Sequence, residues 1–142
     1  MLFRIWFLQS NAIGGTDEMV LPMADTLSMK VRYSGSVVIL VLNGELTIRL
    51  DVLLSRFREF PSGLETEQRA LIVDLHRVSS SSGGGVAVLM RFIRKRAEVN
   101  LQTFMCGLSV FMERLFRIVG LTQYAMIYPD EYTVLQRLKE VE

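Results

Sequence analysis

At 142 residues, half of them hydrophobic and with a mean hydropathy of +0.31, the chain suits one domain with a proper core and is not a disordered protein. A net charge of +1 gives no electrostatic case for nucleic acid, and no apolar run reaches the roughly 18–20 residues that span a bilayer. One cysteine, Cys106, excludes an internal disulfide and a cysteine-rich metal site, and a reducing, cytoplasmic setting fits it best.

The stretch Met1 to Leu8, "MLFRIWFL", is apolar around Arg4 and runs into the polar, turn-forming "QSNAIGGTDE". A secretory signal needs a longer apolar centre and a small-x-small cleavage site. Residues 1–28 therefore read as a tail or as a start codon placed too early, with Met19, Met23 and Met29 as other initiators. The alternative use is an amphipathic contact for a partner or a membrane surface. Residues 29–142 read as a single domain.

Lys30 to Tyr33 alternates charged and apolar residues, as a half-exposed edge strand does. Ser34-Gly35-Ser36 turns the chain into Val37–Leu42, "VVILVL", the pattern of a strand buried on both faces, which Asn43-Gly44 should end. Leu46, Leu50, Leu53, Leu54 and Phe57 then fall at helical spacing, and Pro61-Ser62-Gly63 closes that helix ahead of the connector "LETEQR". Ala70 to Leu75, "ALIVDL", is a second buried strand, and Val86, Leu89, Met90 and Ile93 form a helical stripe opposite Arg91, Arg94 and Lys95. Asn100 to Met105 suits a third buried strand. Ser109 opens a helix with Phe111, Leu115, Ile118 and Val119 facing the core and Gly120 at its stop. "YAMIY" is a short last strand, and Pro129-Asp130-Glu131 starts a final helix. The order β-β-α-β-α-β-α-β-α implies an α/β fold: a mixed, mostly parallel sheet of 4–5 strands with about four helices packed on it.

Enzyme chemistry finds little support. His76 is the only histidine and has no Gly-x-Ser-x-Gly or Cys/His arrangement around it, so a rim residue is expected rather than a base. A zinc site lacks ligands. Gly83-Gly84-Gly85 precedes a helix, but Val86-Ala87 stands where a P-loop needs Lys and Ser/Thr. Cys106 reads as a small buried hydrophobe, and Arg91, Arg94, Lys95 and Arg96 as a solvated helix face. No catalytic residue, cofactor or metal is expected.

Ser79 to Gly85, "SSSSGGG", lies inside one α/β unit, so it should be a strand-to-helix loop at the C-terminal end of a central strand, where open α/β sheets place their working sites. Ser82 is placed to N-cap the following helix. A phosphate there would meet the positive end of the helix dipole.

Four segments carry a family resemblance. Asn43-Gly44-Glu45-Leu46-Thr47, Leu71-Ile72-Val73-Asp74-Leu75 with Val78, Gly85-Val86-Ala87-Val88-Leu89, and Gly120-Leu121 through Asp130 resemble, in order and spacing, the motifs of the STAS domain. That family includes anti-sigma factor antagonists and the cytoplasmic tails of sulphate transporters. The resemblance covers about residues 30–140. It implies a non-enzymatic module that switches partners by binding a serine-kinase anti-sigma factor, which releases it on phosphorylating a "D-S/T-S/T-G" motif. An ungapped match sets Ser82 on the family's Asp, Gly83 and Gly84 on its two hydroxyl residues, and Gly85 on its Gly. A gapped match sets Ser80-Ser81-Ser82-Gly83 on the motif, but it disturbs the helix register; the ungapped one is preferred. The resemblance thus implies a partner-binding loop of Gly44, Glu45, Thr47 and Ser81 to Gly85, with Ser81 and Ser82 as the candidate phospho-acceptors. A homodimer is compatible with it, and so is the alternative of an accessory subunit in a membrane transport or stress-signalling complex.

Overall fold

The elements follow the expected alternation: β1 (Ser28–Ser34), β2 (Val37–Leu46), α1 (Leu50–Arg58), β3 (Ala70–Ser81), α2 (Gly83–Glu98), β4 (Gln102–Cys106), α3 (Val110–Ile118), a 3-10 turn (Leu121–Gln123), β5 (Met126–Tyr128) and α4 (Glu131–Val141). The computed structural model describes residues 27–58 and 70–141. The stretch at 1–26, the break at Pro61-Ser62-Gly63 and the polar connector after it lie outside the described residues.

The sheet has five strands in the order β1-β2-β3-β4-β5, with β1 antiparallel to β2 and every other pair parallel. Parallel neighbours in sequential order need a crossover each, and right-handed crossovers all return over the same face. Thus α1, α2 and α3 share one face, where Leu40, Leu42, Leu71, Val73, Leu75 and Met105 meet Leu50, Leu53, Leu89, Ile93 and Phe116. The other face is covered by α4, whose Val134, Leu135 and Leu138 pack on Val37, Ile39, Ile72, Phe104 and Cys106. With both faces covered, the central strands are buried along nearly their whole apolar runs, as their lack of alternation predicts. Leu27, just ahead of β1 and inside the expected tail, packs into the first cluster.

Helix α2 turns Val86, Leu89 and Ile93 inward and leaves Arg91, Arg94 and Lys95 in water, as expected. Arg96 departs from the solvated-face reading. It is buried, and its guanidinium donates to Thr103 Oγ1 and Gln102 O, both at 2.8 Å, tying α2 to β4. Burial lowers its pKa to about 10.

The largest difference is the face of α3. Of the expected core set Phe111, Leu115, Ile118 and Val119, Leu115 packs on the core, but the helix buries Met112 and Phe116 and exposes Phe111 and Ile118 by 73% and 75%. Apolar residues occur on both sides of this helix, so periodicity alone does not choose between them. Tertiary packing chooses: Met112 and Phe116 join the core cluster, and Ser109 caps the helix start, its Oγ accepting from Met112 N at 3.1 Å. Gly120 at φ 85° provides the helix stop, a conformation that suits glycine.

Candidate functional site

The end of β3 differs from the loop expected there. Strand β2 does not stop at Asn43-Gly44. It continues through two register irregularities to Leu46, and Gly44 at φ 115° absorbs the distortion. The extension pairs Gly44 with Val78, Glu45 with Ser80 and Leu46 with Ser81. Ser79, Ser80 and Ser81 are therefore strand, not loop: Ser80 and Ser81 pair with β2, and Ser79 sits at the register shift between Val78 and Ser80. Leu46, expected to open a helix with Leu50, instead ends β2. Ser79 Oγ donates to Gly44 O at 3.3 Å, and Ser80 Oγ to Glu45 Oε2 at 3.4 Å.

The connection from β3 to α2 shrinks to Ser82. Its Oγ accepts from Gly85 N at 3.1 Å, which is the N-cap bond expected of it. Its backbone N–H donates to Leu46 O at 2.9 Å, and its hydroxyl reaches the same oxygen at 3.4 Å. The Leu46 carbonyl is thus the point where β2 and the start of α2 meet. Gly85 is buried against it: a Cβ there would overlap that carbonyl and lie 2.8 Å from Thr47 N. Only glycine fits. Gly83, by contrast, has open space around it, and a Cβ on Gly84 would make an ordinary 3.6 Å contact with Ile48 Cβ.

All eight residues named from the sequence therefore converge on one end of the sheet. Glu45, Ser82, Gly83 and Gly84 are exposed there; Gly44 and Thr47 are half-buried. Gly85 is an internal spacer rather than a surface group. Ser81 Oγ is buried and has no hydrogen-bond partner among the described residues. Sequence reasoning missed Ile48, 69% exposed beside Gly84. Its signal was an apolar residue directly after Thr47.

A second polar cluster lies on the opposite face, beneath the start of α4. Asp74 interrupts the apolar run of β3 and is 4% exposed. Its Oδ1 accepts from His76 N at 3.0 Å and lies 2.8 Å from His76 Nδ1. Arg32 of β1 forks onto both carboxylate oxygens of Glu131, at 2.8 and 2.7 Å. Burial pushes the Asp74 carboxyl up, but hydrogen bonds from Glu131 and His76 outweigh it and hold the group below its ordinary range. The same bond to Asp74, helped by burial, raises Glu131 above its ordinary range against the pull of Arg32. His76 is half exposed, as a rim residue is. Cys106 faces Asp74 across the β3–β4 pairing, fully buried, and burial first and the nearby acids next push its thiol far above its ordinary range. A thiol held protonated is no nucleophile. The cluster clasps α4 to the sheet.

Comparison with solved structures gives the same fold. The anti-sigma factor antagonist SpoIIAA in its unphosphorylated form is similar at a TM-score of 0.62 and 18% identity, over 80% of this chain and 97% of that one. An anti-sigma factor antagonist from Mycobacterium paratuberculosis is similar at 0.62 and 16% identity, over 83% and 97%. The murine anion transporter Slc26a9 is similar at 0.69 and 11% identity, over 93% of this chain but 26% of that one. A sequence search among curated proteins finds no match. The family model for the STAS domain matches residues 28–134, which spans β1 to the first turn of α4. The chain belongs to the STAS domain family.

Proposed function

We propose that this chain is a regulatory protein-binding module of the anti-sigma factor antagonist kind, without enzymatic activity, and that it works in the cytoplasm. Its partner is a serine-kinase anti-sigma factor. The partner docks on the sheet end formed by Gly44, Glu45, Thr47, Ser82, Gly83 and Gly84, with Ile48 beside them.

The observation that supports this reading most is the fit of Gly85 against the Leu46 carbonyl. A position where only glycine fits suits the glycine that closes the family's "D-S/T-S/T-G" motif. That register puts Ser82 on the acid, and a serine N-cap does there what an aspartate would. It puts Gly83 and Gly84 where the family carries hydroxyls. Of the other candidates, Ser81 Oγ is buried and Ser82 Oγ is held by the cap. The chain then has no free acceptor at this site and stays in the binding-competent form.

The test is incubation with a serine-kinase anti-sigma factor and ATP, followed by intact-mass measurement and a binding assay. The wild-type chain should gain no phosphate and keep its complex. Gly84→Ser, for which there is room, should gain one phosphate and lose the complex. A phosphate adds about two negative charges at the start of α2. Stoichiometric phosphoserine at Ser81 or Ser82 in the wild type would overturn the reading. A second reading, an accessory subunit of a membrane transport or stress-signalling complex, draws support from the fold shared with Slc26a9. Binding to a transporter component in place of the kinase would favour it.

A further inference from the structure

Two exposed features adjoin the sheet end that carries Gly83 and Gly84, one apolar and one charged. Ile48 and Val52 are 69% and 48% exposed. Ile48 is in the turn that leads into α1, where its carbonyl accepts from Asp51 N at 3.0 Å, and Val52 is one turn further on. Along α2 the feature is charge. Arg91 and Lys95 are exposed, with Arg94 as a third exposed cation, and among the described residues none of the three is in an ion pair.

The two features form one surface. Gly84, Arg91 and Lys95 follow at spacings of seven and four, so they share one side of α2. That side is the one next to α1, because a Cβ on Gly84 would lie 3.6 Å from Ile48 Cβ, and the two helices touch. The surface thus runs from Gly84 and Ile48 to Lys95 over about 16 Å, at the ordinary helical rise per residue. Neither feature serves the fold. The helix dipole favours a cation in the last turn, where Lys95 is, but Arg91 is mid-helix. Asp51 and Glu98 are the acids of the two helices, and neither pairs with these cations. An apolar step beside bare glycine backbone, followed by unpaired cations, is complementary to a protein surface that carries an apolar side chain and, about two turns away, carboxylates. The net charge of +1 over the chain gives nucleic acid no comparable claim.

Taking the docking end proposed above as given, we infer that it extends along the α1–α2 pair and that the partner meets it with an acidic amphipathic segment. An apolar side chain of that segment seats against Ile48, Val52 and Gly84, and its carboxylates face Arg91 and Lys95.

Association and dissociation rates of the full-length chain with a serine-kinase anti-sigma factor, measured over a range of salt, test this. Arg91→Glu/Lys95→Glu should lower the association rate about tenfold at low salt and flatten its salt dependence. Arg91→Glu alone, which leaves the last turn of α2 untouched, should act in the same direction. Ile48→Ser should weaken affinity about tenfold, mainly through faster dissociation. Arg137→Glu/Lys139→Glu makes the same charge reversal on exposed α4 surface, across the sheet, and should change either rate by no more than about twofold. All these positions are exposed, so far-ultraviolet circular dichroism should stay the same. A wild-type complex that is indifferent to the α2 charge reversal or to Ile48→Ser overturns the inference and leaves the docking end standing. Faster association of the charge-reversed chain also overturns it, since the facing surface is then basic. No complex with the wild type overturns the docking reading and the inference together. Adsorption to vesicles of anionic lipid that is lost in Arg91→Glu/Lys95→Glu, with kinase association unchanged, overturns it in favour of a membrane surface.

Discussion

Helices α2 and α3 begin in the same way and present opposite surfaces. Each is capped by a serine whose hydroxyl accepts from the third helical N–H, Gly85 in one case and Met112 in the other, both at 3.1 Å. In each the third helical residue is buried and the first two are exposed. What differs is side-chain content. The first two residues are Gly83 and Gly84 in α2, and Val110 and Phe111 in α3. One helix start offers bare backbone at the sheet end, the other a large apolar surface. Cap chemistry fixes where a helix begins; the residues after the cap decide what that end can present.

Substitutions at the buried third positions should separate the two ends most strongly. Gly85→Val drives side-chain atoms into the Leu46 carbonyl, a backbone group that cannot turn aside. A loss of about 3 kcal/mol or more is expected in urea unfolding, at the upper end of overpacking costs or beyond. Met112→Ala makes the opposite error, a cavity under α3, and should cost about 2–4 kcal/mol without changing affinity for the proposed kinase partner. Equal losses of affinity in the two variants would break the division between a proposed binding end and a packing end.

Cap removal comes next in size. Ser82→Ala and Ser109→Ala should each cost about 1 kcal/mol in thermal or chemical unfolding. Ser82→Asp should restore most of the loss at α2, since a carboxylate both caps the helix and favours its dipole. A Ser82→Ala loss well above that of Ser109→Ala would credit its extra bond to Leu46 O.

The smallest structural effect belongs to the exposed second positions. Gly84→Ser and Phe111→Ser should each change stability by less than about 0.5 kcal/mol, the ordinary range for surface sites. Phosphate uptake should separate them: it is expected for the first and not for the second.

The opposite face supplies a pH test with two signs. Asp74 is held low in the fold, so its contribution is present above its unfolded value near 3.8 and is lost as pH falls through the lowered one. Glu131 is raised above 4.5, so its contribution is complete below that value and is lost as pH rises through the raised one. The clasp should therefore stabilise the fold most in a mildly acidic window spanning 3.8 to 4.5. Unfolding titrations of Asp74→Asn should lack that local maximum.

Much of this architecture is legible in the sequence because it is set locally. The runs Val37–Leu42 and Ala70–Leu75, the caps at Ser82 and Ser109 and the stop at Gly120 each rest on residues within a few positions. The extension of β2 and β3 was not legible, because Ser79 to Ser81 are strand only by pairing with Gly44 to Leu46, some 35 residues away. Likewise Leu46 matches the stripe of Leu50 and Leu53 by spacing, and a remote pairing overrides it. The face of α3 was ambiguous because both its sides are apolar. The Asp74–Glu131 clasp showed only as an acid inside "ALIVDL"; its partner lies 57 positions on, beyond any local pattern. At the candidate site, the residues were readable and their roles were not. Gly85 looked like a member of the exposed loop and proves to be the spacer on which that end is built.

The Leu46 carbonyl has a kinetic consequence. One oxygen receives the Ser82 N–H and hydroxyl and leaves no slack beside Gly85, so the end of β2 and the first turn of α2 form a single rigid piece. A protein that lands on Gly83 and Gly84 meets a surface already in its final shape and loses little free energy to ordering it. Variants of this end should then keep similar arrival rates and differ in residence time.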